Sequence, residues 1–125
     1  MTKIEKLLAS CPTLNQRVRF AILCAKQVCG NSRWNTWADA WLSGDDRSFE
    51  AATTSAGLGM KCTELAAAMA ADAAFCAQLF ADGGMKWAKE AAEISATKAV
   101  NTAARELPTI DLAALAAQAI KEELT

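Results

Sequence analysis

The chain has 125 residues, with 13 basic side chains against 14 acidic ones for a formal net charge of −1, and it contains no histidine. That length suits one hydrophobic core, and the near-neutral balance argues against whole-domain electrostatic capture of nucleic acid. Without an imidazole, Ser-His-Asp and Cys-His nucleophile activation and histidine-ligated zinc are excluded.

Alanine occupies 29 positions, against six glycines and two prolines, and it favours helix over strand. Residues 1–125 therefore read as one all-α domain, a compact bundle of six to seven mostly antiparallel helices. Thr2 and Glu5 form a capping-box pattern ahead of Ile4, Leu7 and Leu8, and Pro12 closes this first short helix. Thr13 and Gln16 repeat the pattern and open a helix through Cys29 that stops at Gly30. Ser32 is placed to cap a helix from Arg33 to Ser43, with Gly44 past its end. Asp45 or Asp46 caps a helix from Arg47 to about Ala56, which weakens in the run TTSAGLG. Two long alanine-rich helices follow, about 60–81 and 85–106, separated by Asp82-Gly83-Gly84 and ended by Pro108. Thr109 or Asp111 caps a last helix to the C-terminus.

At 100° per residue the second helix places Leu14, Val18, Ala21, Ile22, Ala25, Val28 and Cys29 on one face, while Phe20 and Leu23 emerge from another, so it is buried on more than one side. The 60–81 helix carries Leu65, Met69, Phe75, Cys76, Leu79 and Phe80 along one arc and almost only alanine along the other. Ala88, Ala92, Ala96, Ala99 and Ala103 form a matching stripe on the 85–106 helix. Methyl-only faces let backbones approach closely, so these two helices pair as the spine of the fold. Residues 65–81, mostly alanine and interrupted by Asp72 and Gln78, read as a core helix rather than a membrane span.

Five cysteines (Cys11, Cys24, Cys29, Cys62 and Cys76) are odd in number and form no Cys-x-x-Cys. With a charged, capped N-terminus in place of a signal peptide, they read as reduced cytoplasmic thiols packed as small hydrophobes. Asp45-Asp46-Arg47 lacks the ligand density of a calcium loop, and Asp82-Gly83-Gly84 lacks the strand and lysine of a phosphate cradle, so no metal or cofactor is expected. No pair among Asp72, Asp39, Glu64 and Glu90 is forced together by spacing, and the chain reads as a non-enzyme.

Two constellations stand out. Asp72 falls in the bulky apolar arc of its helix, and Arg17 falls in the apolar arc of the second. A buried carboxylate needs a base, a donor network or a wet cavity, so the two charges either meet, line one pocket, or reach water separately at the bundle edges. The second constellation is Trp34, Trp37 and Trp41, at i, i+3 and i+7, which form one stripe that serves either as core or as a partner surface. The first 33 residues hold six bases (Lys3, Lys6, Arg17, Arg19, Lys26, Arg33) against Glu5 alone. Arg19 and Lys26 from this basic end, with Asp45, Asp46 and Arg47 after the stripe, complete the candidate contact surface. The expected function is a binding module with a protein partner; the alternatives are a small-ligand or enzymatic pocket around Asp72 and Arg17, and a homo-oligomer sealed by alanine faces.

The segment Arg19–Ala52, with RFAILCAKQV, the aromatic TWADAWLSGDDRS and an alanine-rich continuation, resembles an alanine-rich helical family whose bacterial members are labelled toxin-immunity proteins. The resemblance implies an all-helical fold and a protein target, and it assigns no site residue.

Overall fold

The computed structural model describes residues 2–48, 50–52, 54–55 and 65–124. Among them, six helices follow one another: α1 (Lys3–Ala9), α2 (Leu14–Lys26), α3 (Ser32–Ser43), α4 (Leu65–Gly83), α5 (Lys86–Glu106) and α6 (Leu112–Leu124). Residues 50–52 and 54–55 are also helical, and no strand occurs among the described residues. The expected bounds at 56–64, the cysteine Cys62 and the acid Glu64 lie outside the described residues.

The punctuation follows local chemistry. Thr2 accepts the Glu5 N–H at 3.1 Å. Thr13 accepts the Gln16 N–H at 3.1 Å while the Gln16 side chain accepts the Thr13 N–H at 3.0 Å, a reciprocal pair that satisfies two of the free donors at the start of α2. α3 is capped by Asn31, not Ser32, because the Asn31 carboxamide takes the Trp34 N–H at 3.0 Å. Gly44 ends α3 in the left-handed region at φ 85°, a conformation that glycine adopts without steric cost. The next helical turn is set by Ser48, whose hydroxyl accepts the Ala51 N–H at 3.3 Å, so it opens later than Arg47. Asp111 caps α6 by accepting the Ala114 N–H at 3.0 Å. α2 stops at Lys26, and residues 27–28 form a turn before Gly30.

Among the described helices, α4 and α5 make the most extensive contact. Their methyl faces close on one another: Ala70, Ala71 and Ala73 of α4 and Ala92, Ala96 and Ala99 of α5 are all fully buried. Each buried methyl contributes only on the order of 1 kcal/mol; what the stripe achieves is proximity, which multiplies dispersion contacts between backbones. α2 touches α3, α4, α5 and α6, and every residue from Val18 to Ala25 is buried. By length and composition α4 could cross a membrane, yet its alanine face is buried against the rest of the bundle.

The bulky arc of α4 is only partly buried: Cys76 lies in the core and Met69 and Phe75 pack against it, but the rest of the arc faces outward. Leu65 is 50% exposed, and Met69, Phe75, Leu79 and Phe80 are half-buried. The volume missing from the alanine interface is supplied by α2 and α3, whose Phe20, Ile22 and Trp34 are fully buried.

Candidate functional site

The tryptophan stripe of α3 belongs to the core. Trp34, Trp37 and Trp41 are all buried, and the rings of Trp34 and Trp37 sit 5.6 Å apart at 59°, a tilted pair favoured by the ring quadrupoles. Trp34 Nε1 donates to the Ala67 carbonyl at 3.0 Å and so ties α3 to α4. Trp41 lies between two cations, with the Arg47 guanidinium 4.2 Å from its ring centre and that of Arg19 at 5.9 Å. Arg47 Nε donates to the Trp41 carbonyl at 2.9 Å, and Arg19 Nη2 donates to the Leu42 carbonyl at 2.8 Å. The two arginines thus close carbonyls at the C-terminal end of α3, where positive charge is favoured.

Arg19 is therefore not a contact residue on the surface. It is 4% exposed, and its Nη1 pairs with Glu122 Oε2 at 2.9 Å, which locks α6 onto α2. Lys26 is ion-paired to Asp39 rather than held free. Asp45 and Asp46 are exposed, and their backbone N–H groups cap the Ala40 carbonyl at 2.9 and 3.2 Å.

Arg17 and Asp72 take different partners. Arg17 donates through Nε to the Cys11 carbonyl at 3.0 Å and pairs with Glu93 at 3.3 Å. Asp72, half-buried, accepts the Ser95 hydroxyl at 2.6 Å across the α4–α5 seam. A 180 Å³ notch lined by Arg17, Glu93 and Glu5 does not include Asp72. The described cysteines Cys11, Cys24, Cys29 and Cys76 are all buried. Burial pushes the Cys24 thiol up to about 12, and burial with the nearby Asp72 charge pushes Cys76 up to about 11. Such thiols are poor nucleophiles at neutral pH. Among the described residues no group of three or more Cys, Asp or Glu side chains could hold a metal.

Two surface features remain. On α5, Trp87 is 59% and Ile94 56% exposed, two helical turns apart on one face, with Met85 beside the helix start at 43%. A shallow groove of 550 Å³ runs past Ile94 between Glu90, Glu93, Thr97 and Lys98. Beside α3, a second cavity of 370 Å³ is lined by Arg33, Thr36, Trp37, Asp46, Ala51 and Ser55, among others. Trp37 also carries a buried Nε1 that has no acceptor among the described residues. Neither feature was singled out from the sequence. A signal existed for the first: Trp87 stands among the charges Lys86, Lys89 and Glu90, and Ile94 follows seven residues on.

No family model, no curated protein and no solved structure matches this chain.

Proposed function

We propose that this chain is a helical binding module that engages a protein partner through the exposed face of α5, with an immunity or inhibitor protein as its concrete form. The observation that carries this reading is the exposure of Trp87 and Ile94 on one face of α5. Large exposed side chains cost solvation when left bare, and tryptophan dominates binding energy where it enters a partner's pocket. The partner that suits this face offers an apolar ridge edged by charges of both signs, to meet Lys86, Lys98 and Glu90 around it. The buried thiols of Cys11, Cys24 and Cys76 support a reducing, cytoplasmic setting. The alanine faces of α4 and α5 are occupied by one another, which speaks against an oligomer sealed by them.

The test is a photo-crosslinking amino acid placed at Trp87, and separately at the exposed Gln118 of α6 as a control. In the producing cell, position 87 is expected to yield one discrete hetero-adduct that position 118 does not. The purified pair should then lose affinity by about tenfold or more in Trp87→Ala. An adduct of twice the chain mass would replace the reading by a homo-oligomer. Equal labelling from both positions, or no adduct, would refute it.

A further inference from the structure

On α5, Trp87, Ala91, Ile94, Lys98, Asn101 and Arg105 follow one another at intervals of four, three, four, three and four residues. That alternation is the seam of a coiled coil, the spacing at which one helix receives the side chains of another along its length. The opposite side of α5 carries the alanine stripe, which is closed inside the bundle. The outer seam has no helix on it among the described residues: Ala91 is half-buried and the other five are exposed. α5 thus has a packing register on two sides and uses one of them.

The seam changes character along its length. Its first half is apolar, with Trp87 and Ile94 two turns apart. Its second half is basic, because no acidic residue occurs from Ile94 to Arg105. Lys98 makes no ion pair among the described residues, and Arg105 has the Thr102 hydroxyl at 3.4 Å. Beside these two cations, Leu65 and Met69 of α4 give an apolar wall to a groove of 370 Å³. The acids around the seam do not answer them. Glu93 pairs with Arg17, and Asp72 accepts the Ser95 hydroxyl. Glu90 lies at the apolar end, and Glu106 is about 100° round the helix from Arg105.

This charge pattern selects the occupant. Lysine and arginine on such a seam lay their stems along the apolar contact and hold their charges towards the facing helix, so that helix is acidic there. A second copy laid parallel would set Lys98 and Arg105 against themselves. An anionic membrane would meet Glu90 in the middle of the contact.

We propose that the outer face of α5 receives one amphipathic helix of the partner protein. That helix is apolar where it meets Trp87 and Ile94, and it carries carboxylates two turns apart where it meets Lys98 and Arg105. The proposal rests on the reading of α5 as the partner face and adds the partner's chemistry to it.

The experiment titrates three synthetic peptides into the full chain by calorimetry. Each has three heptads and a leucine seam; one carries glutamates placed to face Lys98 and Arg105, one carries lysines there, and one carries the glutamates on its outer side. The first alone is expected to bind saturably, in the micromolar range, and more weakly as salt is added. The double variant Lys98→Glu with Arg105→Glu should bind it about tenfold more weakly and should take up the lysine peptide instead. Both positions are exposed, and circular dichroism checks that the variant keeps its helices. Equal binding of the three peptides, no binding of the first, or a double variant that titrates like the parent chain overturns the proposal. So does sedimentation of the chain alone as a dimer through this face, or its capture by phosphatidylserine vesicles with a blue shift of Trp87 fluorescence. If the proposal fails while photo-crosslinking at position 87 still yields its hetero-adduct, the partner reading stands without the acidic helix; with no adduct, both fall.

Discussion

Replacing Arg19 by alanine removes a 4%-exposed side chain that joins three helices. Its charged hydrogen bond to the Leu42 carbonyl, at 2.8 Å, is the largest single loss, about 1.5–3 kcal/mol. The ion pair with Glu122 adds less than its 2.9 Å length suggests, because the glutamate side chain is 39% exposed and water can take over the freed carboxylate; about 1 kcal/mol is the ceiling for such a pair. The guanidinium lies at the outer limit of attraction to the Trp41 ring, and loss of the aliphatic stem leaves a void between α2, α3 and α6. Together these place Arg19→Ala about 3 kcal/mol below the parent chain, and at roughly 3–4 °C per kcal/mol for a domain of this size the midpoint falls by about 10 °C. Glu122→Gln, which keeps the stem of the partner side chain, should cost under about 1 kcal/mol. Urea titrations followed by far-UV circular dichroism measure both, with an unchanged m value as the check on two-state behaviour. An Arg19→Ala variant within about 1 kcal/mol of the parent, or a Glu122→Gln variant as damaging as Arg19→Ala, would refute the assignment of Arg19 as the buried clamp.

Other outcomes follow from the same packing. Ala96→Leu forces a side chain into the closed α4–α5 interface, where Ala96 is fully buried, and should cost about 3 kcal/mol or more in the same urea titration, whereas Ala114→Leu on the exposed side of α6 should cost almost nothing. Acrylamide should quench one fluorescence component of the native chain and leave a shielded remainder, because Trp34, Trp37 and Trp41 are buried and Trp87 is not; Trp87→Phe should abolish the quenchable component. The Cys24 thiol is raised from its ordinary 9.0 to about 12, so the folded state holds that proton more tightly than the unfolded chain. Its stabilising effect is complete below the unfolded value and is lost as pH climbs from 9.0 towards about 12. Urea midpoints across that window should therefore fall less steeply for Cys24→Ala than for the parent chain. Ser95→Ala should cost about 1–2 kcal/mol in thermal unfolding by removing the hydroxyl that Asp72 accepts at 2.6 Å, and Asp72→Asn should recover part of that loss by lowering the charge left at the seam.

Much of the architecture was written in local chemistry. The capping box at Thr13 and Gln16, the glycine that ends α3 and Asp111 ahead of α6 all depend on residues within a turn of one another, and the alanine stripes of α4 and α5 are visible as simple helical spacing. The absence of histidine bounded the chemistry in the same direct way. The end of α2 and the cap of α3 shifted by a residue or a few, because asparagine at 31 and serine at 32 both suit the role and only backbone geometry chooses.

The candidate sites were far less legible. A helical wheel orders side chains around one axis but says nothing of how many neighbours surround that axis. α2 is enclosed by four helices, so Arg19 is buried and Arg17 reaches the rim, the reverse of their places relative to the apolar arc. Most of the bulky arc of α4, Cys76 apart, is left partly open because the closest approach available to α4 and α5 runs along their methyl faces, which leaves Asp72 in a half-buried seam. The tryptophans of α3 went inward to supply the volume that alanine cannot, and the aromatic surface passed to Trp87, which has no neighbour to cover it among the described residues. Composition and spacing alone thus determined helix content and caps, set by contacts within a few residues, and the alanine stripes that marked which two helices would pair. Which charge is buried, which tryptophan meets water and which indole N–H lacks an acceptor were decided by tertiary packing, since each depends on residues brought in from distant parts of the chain.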